Sequence, residues 1–338
     1  MIHPLCDITV IGGGPTGLFA AFYAGMRGAS CRIIDALPTL GGQLMALYPE
    51  KYIFDVAGFP RVLAKDLVMG LQEQAMQFGA VARLGETVTG LKKETIDGAE
   101  VFVLETDAGT YPTRTIVIAA GIGAFEPRKL PLDEAVAWEG VGVQYNVIDP
   151  KAFAGKRVLL VGGGDSAFDW ALGLQGVAAH VTLIHRRDGF RAHHATIDQV
   201  MRLQDEGKCT VRTFAEVKGI EGAGKVERAI LEDTKTKERW TLQVDAIIPL
   251  LGFISDLGAI NAWGLGQEKQ DIVVDRVMET SVPGIYAAGD VCTYAGKLKL
   301  IATGAGEAAI AVNNAVHRID PKRKVNPGHS SDLKIFDK

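Results

Sequence analysis

The chain has 338 residues, enough for two or three domains with cores of their own. Hydrophobic residues at 47% and charged residues at 22% make a soluble balance, and a net charge of −4 excludes a global pull toward nucleic acid or anionic membrane. No run nears the roughly 18 apolar residues that cross a bilayer, and the first strand begins too early to follow a signal peptide, so a cytoplasmic protein is expected. Four cysteines, Cys6, Cys31, Cys209 and Cys292, show neither a C-x-x-C nor a metal-ligand spacing. They read as reduced thiols, Cys6 and Cys31 within strands, and no metal is expected.

Asp7 to Ile11 has strand character and runs directly into Gly12, Gly14 and Gly17, spaced G-x-G-x-x-G, and then into an Ala-rich helix over Pro15 to Gly28. In this strand–turn–helix setting the spacing is that of a dinucleotide-binding turn. Gly12 permits the tight turn, Gly14 lets a pyrophosphate approach the backbone, and Gly17 lets helix and strand pack closely. The helix N-terminus offers N–H groups and partial positive charge to the phosphates. Ser30 to Asp35 is the next strand, and Asp35 stands where an acid accepts hydrogen bonds from a ribose diol. The first nucleotide is therefore expected to carry a free 2′-hydroxyl, as FAD and NAD do.

Gly41 to Glu50 reads as a loop too apolar and Gly-rich for a plain connector. In it Gln43 offers an amide donor and acceptor, and Tyr48 a stacking ring, to a flat polar group; ordinary loop packing accounts for them nearly as well. Ala64 to Phe78 has helical spacing, with Gly79 as its cap. Thr87 to Thr89 and Val101 to Asp107 are β-rich, and antiparallel strands covering the sheet are expected there. Thr115 to Gly121 is a buried strand ending at glycine, and Pro127 to Pro131 mark an exit from the first domain.

Arg157 to Val161 repeats the opening theme: an apolar strand, then Gly162-Gly-Gly164-Asp165-Ser166-Ala167 spaced G-x-G-x-x-A, a helix over Asp165 to Gly176, and a strand over Val181 to His185. Two such loops denote a duplicated domain type rather than a solenoid repeat. The second copy's strand ends not in an acid but in His185-Arg186-Arg187-Asp-Gly-Phe-Arg191. Guanidinium groups at this position suit a ribose 2′-phosphate, so NADP is favoured over NAD; a solvated basic face is the alternative. His193 and His194 diverge on a helix or a strand and read as pocket wall or surface. Asp245 to Leu251 is a buried strand closed by Gly252. Gly284 to Val291 delivers Asp290 to a loop or helix start, where its carboxylate can accept from a sugar-chain hydroxyl, cap a helix, or both. Ile301 to His317 is helical, with Gly304 and Gly306 allowing close approach, and Asn326 to Ser331 has the composition of a disordered tail.

Together the two glycine loops, Ala119-Ala-Gly121 and Ala288-Gly-Asp290 resemble the two-dinucleotide-binding flavoprotein superfamily, and within it the thioredoxin reductase-like enzymes, over essentially the whole chain. The resemblance implies an α/β fold of two Rossmann-like domains of three-layer ββα type. A discontinuous FAD-binding domain would span 1–122 and 252–338, including a C-terminal tail extension, and an NADPH-binding domain 123–251. It implies one FAD per subunit on the loop Gly12 to Gly17 and Asp35, and NADPH on Gly162, Gly164, Asp165, Ser166, Ala167, His185, Arg186, Arg187 and Arg191.

Thioredoxin reductases carry a C-x-x-C shortly before the second glycine loop, but Gly142 to Asp149 holds no cysteine. A dithiol relay needs two thiols within disulfide reach, so disulfide reduction by that route is excluded. The runs Gly41 to Pro60, Ile184 to His193 and Gly289 to Tyr294 are instead similar to ferredoxin (flavodoxin)–NADP⁺ reductases of the thioredoxin reductase-like type. That likeness implies an FAD site lined by Thr16, Asp35, Gln43, Tyr48, Val88, Phe125, Asp290 and Ser331. Tyr48 would stack on one face of the ring, and His329 would cover the other in the partner subunit of a homodimer.

No catalytic acid, base or nucleophile is named, because the flavin carries the chemistry. NADPH would pass a hydride to flavin N5, and the electrons would leave singly to ferredoxin or flavodoxin. The family's crossed domain arrangement implies a rotation, with Gly121, Gly123 and Gly252 as hinge candidates. Two other readings stand beside this one: an NADPH oxidase or diaphorase serving oxygen, quinones or small dyes, and a flavin-binding redox sensor without turnover.

Overall fold

The computed structural model describes residues 3–49, 51–145 and 149–332, the side chains of 124–126 and 253–255 excepted. The chain forms two compact units, Met1–Ala124 with Ser255–Lys338, and Phe125–Ile254. Glu50 and residues 146–148 of the cysteine-free segment before the second glycine loop lie outside the described residues.

In the first unit, β1 (Cys6–Ile11) is an apolar run whose Ile8 and Val10 have no exposed surface, as a parallel strand covered on both faces requires. α1 (Pro15–Met26) starts with proline, which suits a position where an N–H would have no helical partner. β2 (Cys31–Asp35) then lies parallel to β1, with Ile8 opposite Cys31 and Ile11 opposite Ile34. The segment read as a loop contains a short helix, α2 (Gln43–Leu47). Gly42, at a φ of +54°, turns the chain into it, and the following Gln-Leu-Met-Ala-Leu are good helix formers that a Gly-rich flank had masked.

After α3 (Ala64–Met76) and β3 (Val81–Leu84) comes an antiparallel meander of β4 (Val88–Ile96), β5 (Ala99–Thr106) and β6 (Thr110–Ile118). These strands, expected to cover the sheet, are hydrogen-bonded into it. The long β6 pairs parallel with β1 from Thr113 to Ile118 and antiparallel with β5 from Thr110 to Thr113, giving the order β3-β2-β1-β6-β5-β4. This strand of nine residues serves both neighbours through its two edges, Thr113 standing between Cys6 on one side and Phe102 on the other.

The second unit repeats the βαβ plan with β7 (Arg157–Val161), α4 (Asp165–Gly173), β8 (His180–His185), α5 (His194–Asp205) and β9 (Cys209–Thr213). A separate antiparallel sheet follows, of β10 (Ala215–Glu221), β11 (Arg228–Asp233) and β12 (Arg239–Gln243), before β13 (Ala246–Pro249) joins the parallel sheet beside β7. The two-residue period of a strand divides the core. Leu159, Val161 and Ile247 pack against Val217, Ala229 and Leu231 of the antiparallel sheet. Val158, Leu160 and Ile248 pack against Phe168, Ala171 and Val200 of the helices. The layers are thus sheet, sheet and helix.

On its return the chain adds β14 (Ile285–Ala287) beside β6 and ends in α6 (Ile301–Ile319). α6 runs alongside α1 in the same direction, Gly304 meeting Thr16 near one end and Asn313 meeting Arg27 near the other. Arg27 is only 6% exposed. Its guanidinium donates to the Asn313 side chain, to the Lys324 carbonyl at 2.7 Å and to the Val325 carbonyl at 2.9 Å. The His317 ring holds the Arg323 carbonyl at 2.7 Å. The tail that composition marked as disordered is therefore tied down at its root. Arg27→Met is expected to remove about 2–3 kcal/mol of stability from this unit, since hydrogen bonds to a charged group are lost at once. Limited proteolysis should then cut beyond residue 320 faster than in the parent, and an unchanged digestion pattern would count against the tether.

Candidate functional site

The three glycines of the first loop have different surroundings. A Cβ on Gly12, whose φ is +107°, would overlap the Ala119 carbonyl, and one on Gly17 would overlap the Gly12 carbonyl. Both therefore serve close packing of the chain on itself. Gly14 is open by comparison: its nearest neighbour, Gly42 Cα, lies 3.9 Å from the Cβ position. α1 has no side-chain cap and no acid in its first turn, an N-terminus that fits a phosphate.

Asp35 is bound to this loop. Its Oδ2 accepts the Gly13 N–H at 2.5 Å and its Oδ1 the Leu37 N–H at 2.8 Å. Each oxygen keeps a second lone pair for a ribose hydroxyl. Burial holds the carboxyl above its usual range, against the opposing effect of these two bonds. The Glu86 N–H donates to the Asp35 carbonyl at 3.1 Å, which brings the turn before Val88, the first residue of β4, to the same end of the site.

At the other end, Gln43 opens α2 with its Nε2 3.2 Å from the Cβ position of Gly121. Tyr48 follows that helix, half-buried; burial raises its phenol, and the charge of Asp290 raises it further. Asp290 sits in the loop after β14, where burial raises its carboxyl and the charges of Lys297 and Lys299 pull it down. The backbones of Gly289 and Gly304 both close on the Thr16 hydroxyl, so the first turn of α1, the Asp290 loop and the first turn of α6 meet at one point. Beside Gly121 and Ile122 opens a cavity of about 170 Å³, flanked by the Asp271–Lys299 ion pair.

The structure thus gathers Gly12, Gly14, Thr16, Gly17, Asp35, Gln43, Tyr48 and Asp290 around one path, with Val88 at its Asp35 end. His329 and Ser331 are exposed in the tail, where Ser330–Asp332 form a single turn. Phe125 lies in the strand Ala124–Pro127, and its side chain is outside the described residues. Pattern reading missed Gly13, the middle glycine, where a Cβ would come within 2.6 Å of Leu40 Cδ2 and 3.0 Å of Asp35 Oδ2. The unbroken Gly-Gly-Gly was its signal. Lys299 was missed too, because only the fold brings it to the site, and Gly289 was read only as part of the motif around Asp290.

The second loop is built alike. A Cβ on Gly162 would overlap the Leu250 carbonyl, and one on Gly163 would stand 2.5 Å from the His185 ring; nothing lies within 4 Å of the position on Gly164. Ala167 is buried against Gly162, and Ser166 is exposed. Asp165 accepts the His193 N–H at 2.9 Å, and the Arg191 N–H donates to the Gly163 carbonyl at 2.7 Å, tying the arginine segment to the loop. Arg186, Arg187 and Arg191 are exposed, while burial and the first two lower the His185 ring. His193 caps α5 and His194 begins it, both exposed.

All four cysteines are buried and unpaired. Burial raises the thiols of Cys6, Cys31 and Cys209, and that of Cys292 is pushed up to about 12. None is an exposed thiolate of the kind that exchanges disulfides.

Two glycine turns at the ends of parallel strands, one with an acid and the other with arginines after its second strand, are the pattern of a protein that holds two dinucleotides. The chain belongs to the pyridine nucleotide-disulphide oxidoreductase family, whose model matches residues 6–315, and its cofactors are FAD and NADP(H). A ferredoxin–NADP reductase of Halalkalibacterium halodurans is 53% identical over 330 residues, covering 97% of this chain and 98% of that protein. One of Thermus thermophilus is 51% identical over 327 residues, covering 96% of each. Among solved structures, the thioredoxin reductase of T. acidophilum matches with a TM-score of 0.76 at 27% identity, over 94% of this chain and 99% of that one. That of Lactococcus lactis matches at 0.74 and 27%, over 92% and 97%.

Gly164→Ala should leave thermal unfolding unchanged, because its φ of −101° and open surroundings accept a methyl group. It should raise the KM for NADPH roughly tenfold or more by holding the phosphates off the N–H groups. Asp35 and Asp290 take up protons at a higher pH than exposed acids do. FAD affinity should then be full at neutral pH and begin to fall before the solution reaches about pH 4, as expected where carboxylates are the acceptors. Flavin fluorescence released on acidification checks this, and Asp35→Asn should flatten part of the profile.

Proposed function

We propose that this chain is a ferredoxin–NADP⁺ reductase, moving electrons between NADPH and ferredoxin, with flavodoxin as an acceptor of the same kind. One observation carries the reading: a thioredoxin reductase-like scaffold keeps both dinucleotide loops while its cysteines are buried and unpaired. FAD bound there would supply the redox chemistry that links the two-electron donor NADPH to a one-electron carrier.

The chain's own residues bind and orient. Gly12, Gly14, Thr16 and Gly17 hold the FAD pyrophosphate, and Asp35 with the Val88 backbone holds the adenosine end. Gln43 and Asp290 take the polar edge and sugar chain, and Tyr48 supports the ring. Phe125 and Ser331 complete the set. Gly162, Gly164, Asp165, Ser166 and Ala167 cradle NADPH, with His185 as a neutral wall and Arg186, Arg187 and Arg191 reading the 2′-phosphate. These roles make Met1–Ala124 with Ser255–Lys338 the FAD domain and Phe125–Ile254 the NADPH domain.

The tail supports a homodimer. Arg27 and His317 fix residues 323–325 at the far end of α1. From there back to Thr16 is ~11 helical residues, roughly 16 Å. The four residues from Val325 to His329 reach about 14 Å when fully extended. Asp290 and Tyr48 gather at the Thr16 end, a span close to the limit of the tail, and His329 is proposed, as the family resemblance implies, to cover the flavin of the partner subunit. A covered ring face argues against an oxidase or diaphorase. No helix among the described residues is long and apolar enough to cross a membrane, which accords with a cytoplasmic site. Of the hinge candidates, a Cβ on Gly123 would overlap the Asp256 carbonyl, whereas nothing lies within 4 Å of the Cβ position on Gly252, whose carbonyl accepts the Arg128 N–H at 2.9 Å.

Purified protein mixed with NADPH should reduce ferredoxin and flavodoxin and leave thioredoxin disulfide untouched. Arg186→Ala with Arg187→Ala should cost roughly 10- to 100-fold in kcat/KM for NADPH and little for NADH. Brisk thioredoxin-dependent disulfide reduction would overturn the proposal.

A further inference from the structure

Behind Asp290 a group of polar side chains converges in the core on one carboxylate. Glu307, in the second turn of α6, is 3% exposed, and the side chain of Lys297 is 5% exposed. Glu307 Oε1 accepts from Lys297 Nζ at 2.5 Å and from the Tyr294 hydroxyl at 2.6 Å. Its Oε2 accepts from Lys297 Nζ at 2.6 Å and from the Gly289 N–H at 2.8 Å, and the Cys292 thiol lies 3.6 Å from the same oxygen. A buried ion pair of this kind is seldom the most stable filling of a core, because apolar residues of equal volume avoid the desolvation.

What the carboxylate holds is the loop that carries Asp290. Gly289, at a φ of +82°, is packed against Thr16 and Gly304, and its N–H is held from behind by Glu307. Tyr294 and Lys297 bring the far side of the same loop to the same carboxylate. Asp290 is therefore enclosed in a loop with both ends fastened to one side chain. Lys297 also stands within electrostatic reach of Asp290, so its charge has two acids to serve.

We infer that Glu307, with Lys297 as its counter-ion, is a positioning residue that sets the Asp290 carboxylate for the sugar chain of FAD. The inference rests on Asp290 being an FAD contact, as proposed above. Removing Glu307 frees the Gly289 N–H and leaves Lys297 to pair with Asp290 itself.

The test uses three holoenzyme variants: D290A, E307Q, and E307L with K297M, which replaces the pair by apolar residues and strands no charge. FAD affinity is read from the fluorescence released on dilution, the flavin environment from the visible absorption envelope, and folding from urea unfolding in excess FAD. The doubly substituted protein should hold FAD at least tenfold more weakly, with an altered flavin envelope, as should D290A, and in excess FAD its urea midpoint should fall no further than that weaker binding itself requires. E307Q should weaken FAD by a similar factor. Parental FAD affinity in both Glu307 variants, with D290A weakened, overturns the inference alone. Parental affinity in D290A overturns the placement of Asp290 beneath it. Failure of both Glu307 variants to fold in excess FAD would make the network a core element and overturn the inference as well.

Discussion

The molecule depends on a contact that only glycine permits, made twice. The first glycine of each loop lies so close to the end of a neighbouring parallel strand that a Cβ would overlap a carbonyl, Gly12 against Ala119 and Gly162 against Leu250. That approach brings each helix N-terminus over the sheet edge, with its N–H groups turned toward the open side at Gly14 and Gly164. Core closure and the opening at the helix N-terminus are thus one constraint. A substitution that relaxes the turn loosens a core and moves the helix N-terminus together.

Much of this could be read from local pattern, because the physics is local. A strand, a glycine turn and a helix are contiguous in sequence, and the residue at the end of the second strand, Asp35 or Arg186-Arg187, lies at a fixed offset from them. What escaped depends on chain segments far apart. The place of the meander depends on β6 pairing with β1, more than a hundred residues earlier in the numbering. The helix at Gln43 was hidden by the glycines before it, which proved to be its entry turn. The tether of the tail requires Arg27 to meet Lys324 and Val325. Glu307 looks like any acid on an amphipathic helix until the fold sets it beneath Gly289.

The two nucleotide sites also show how little chemistry the side chains supply. Asp35, Gln43 and Asp290 can accept, donate and orient, and the titrating groups among them are shifted mainly by burial. The four thiols are buried and unpaired, and no C-x-x-C is present to carry electrons onward as in a disulfide reductase. Electron exit must then occur at the flavin, and the protein's work is to hold that ring in register with two partners in turn.

α1 has a further consequence as a spacer. One end of this helix carries the first glycine turn, and the other, through Arg27, carries the root of the tail. Adding or deleting a helical turn would move the root by about 5.4 Å along the axis, and a single residue would swing it through about 100°. The length of α1 and the length of the tail are therefore coupled quantities. A chain of this design can lengthen its tail freely only if that helix stays the same.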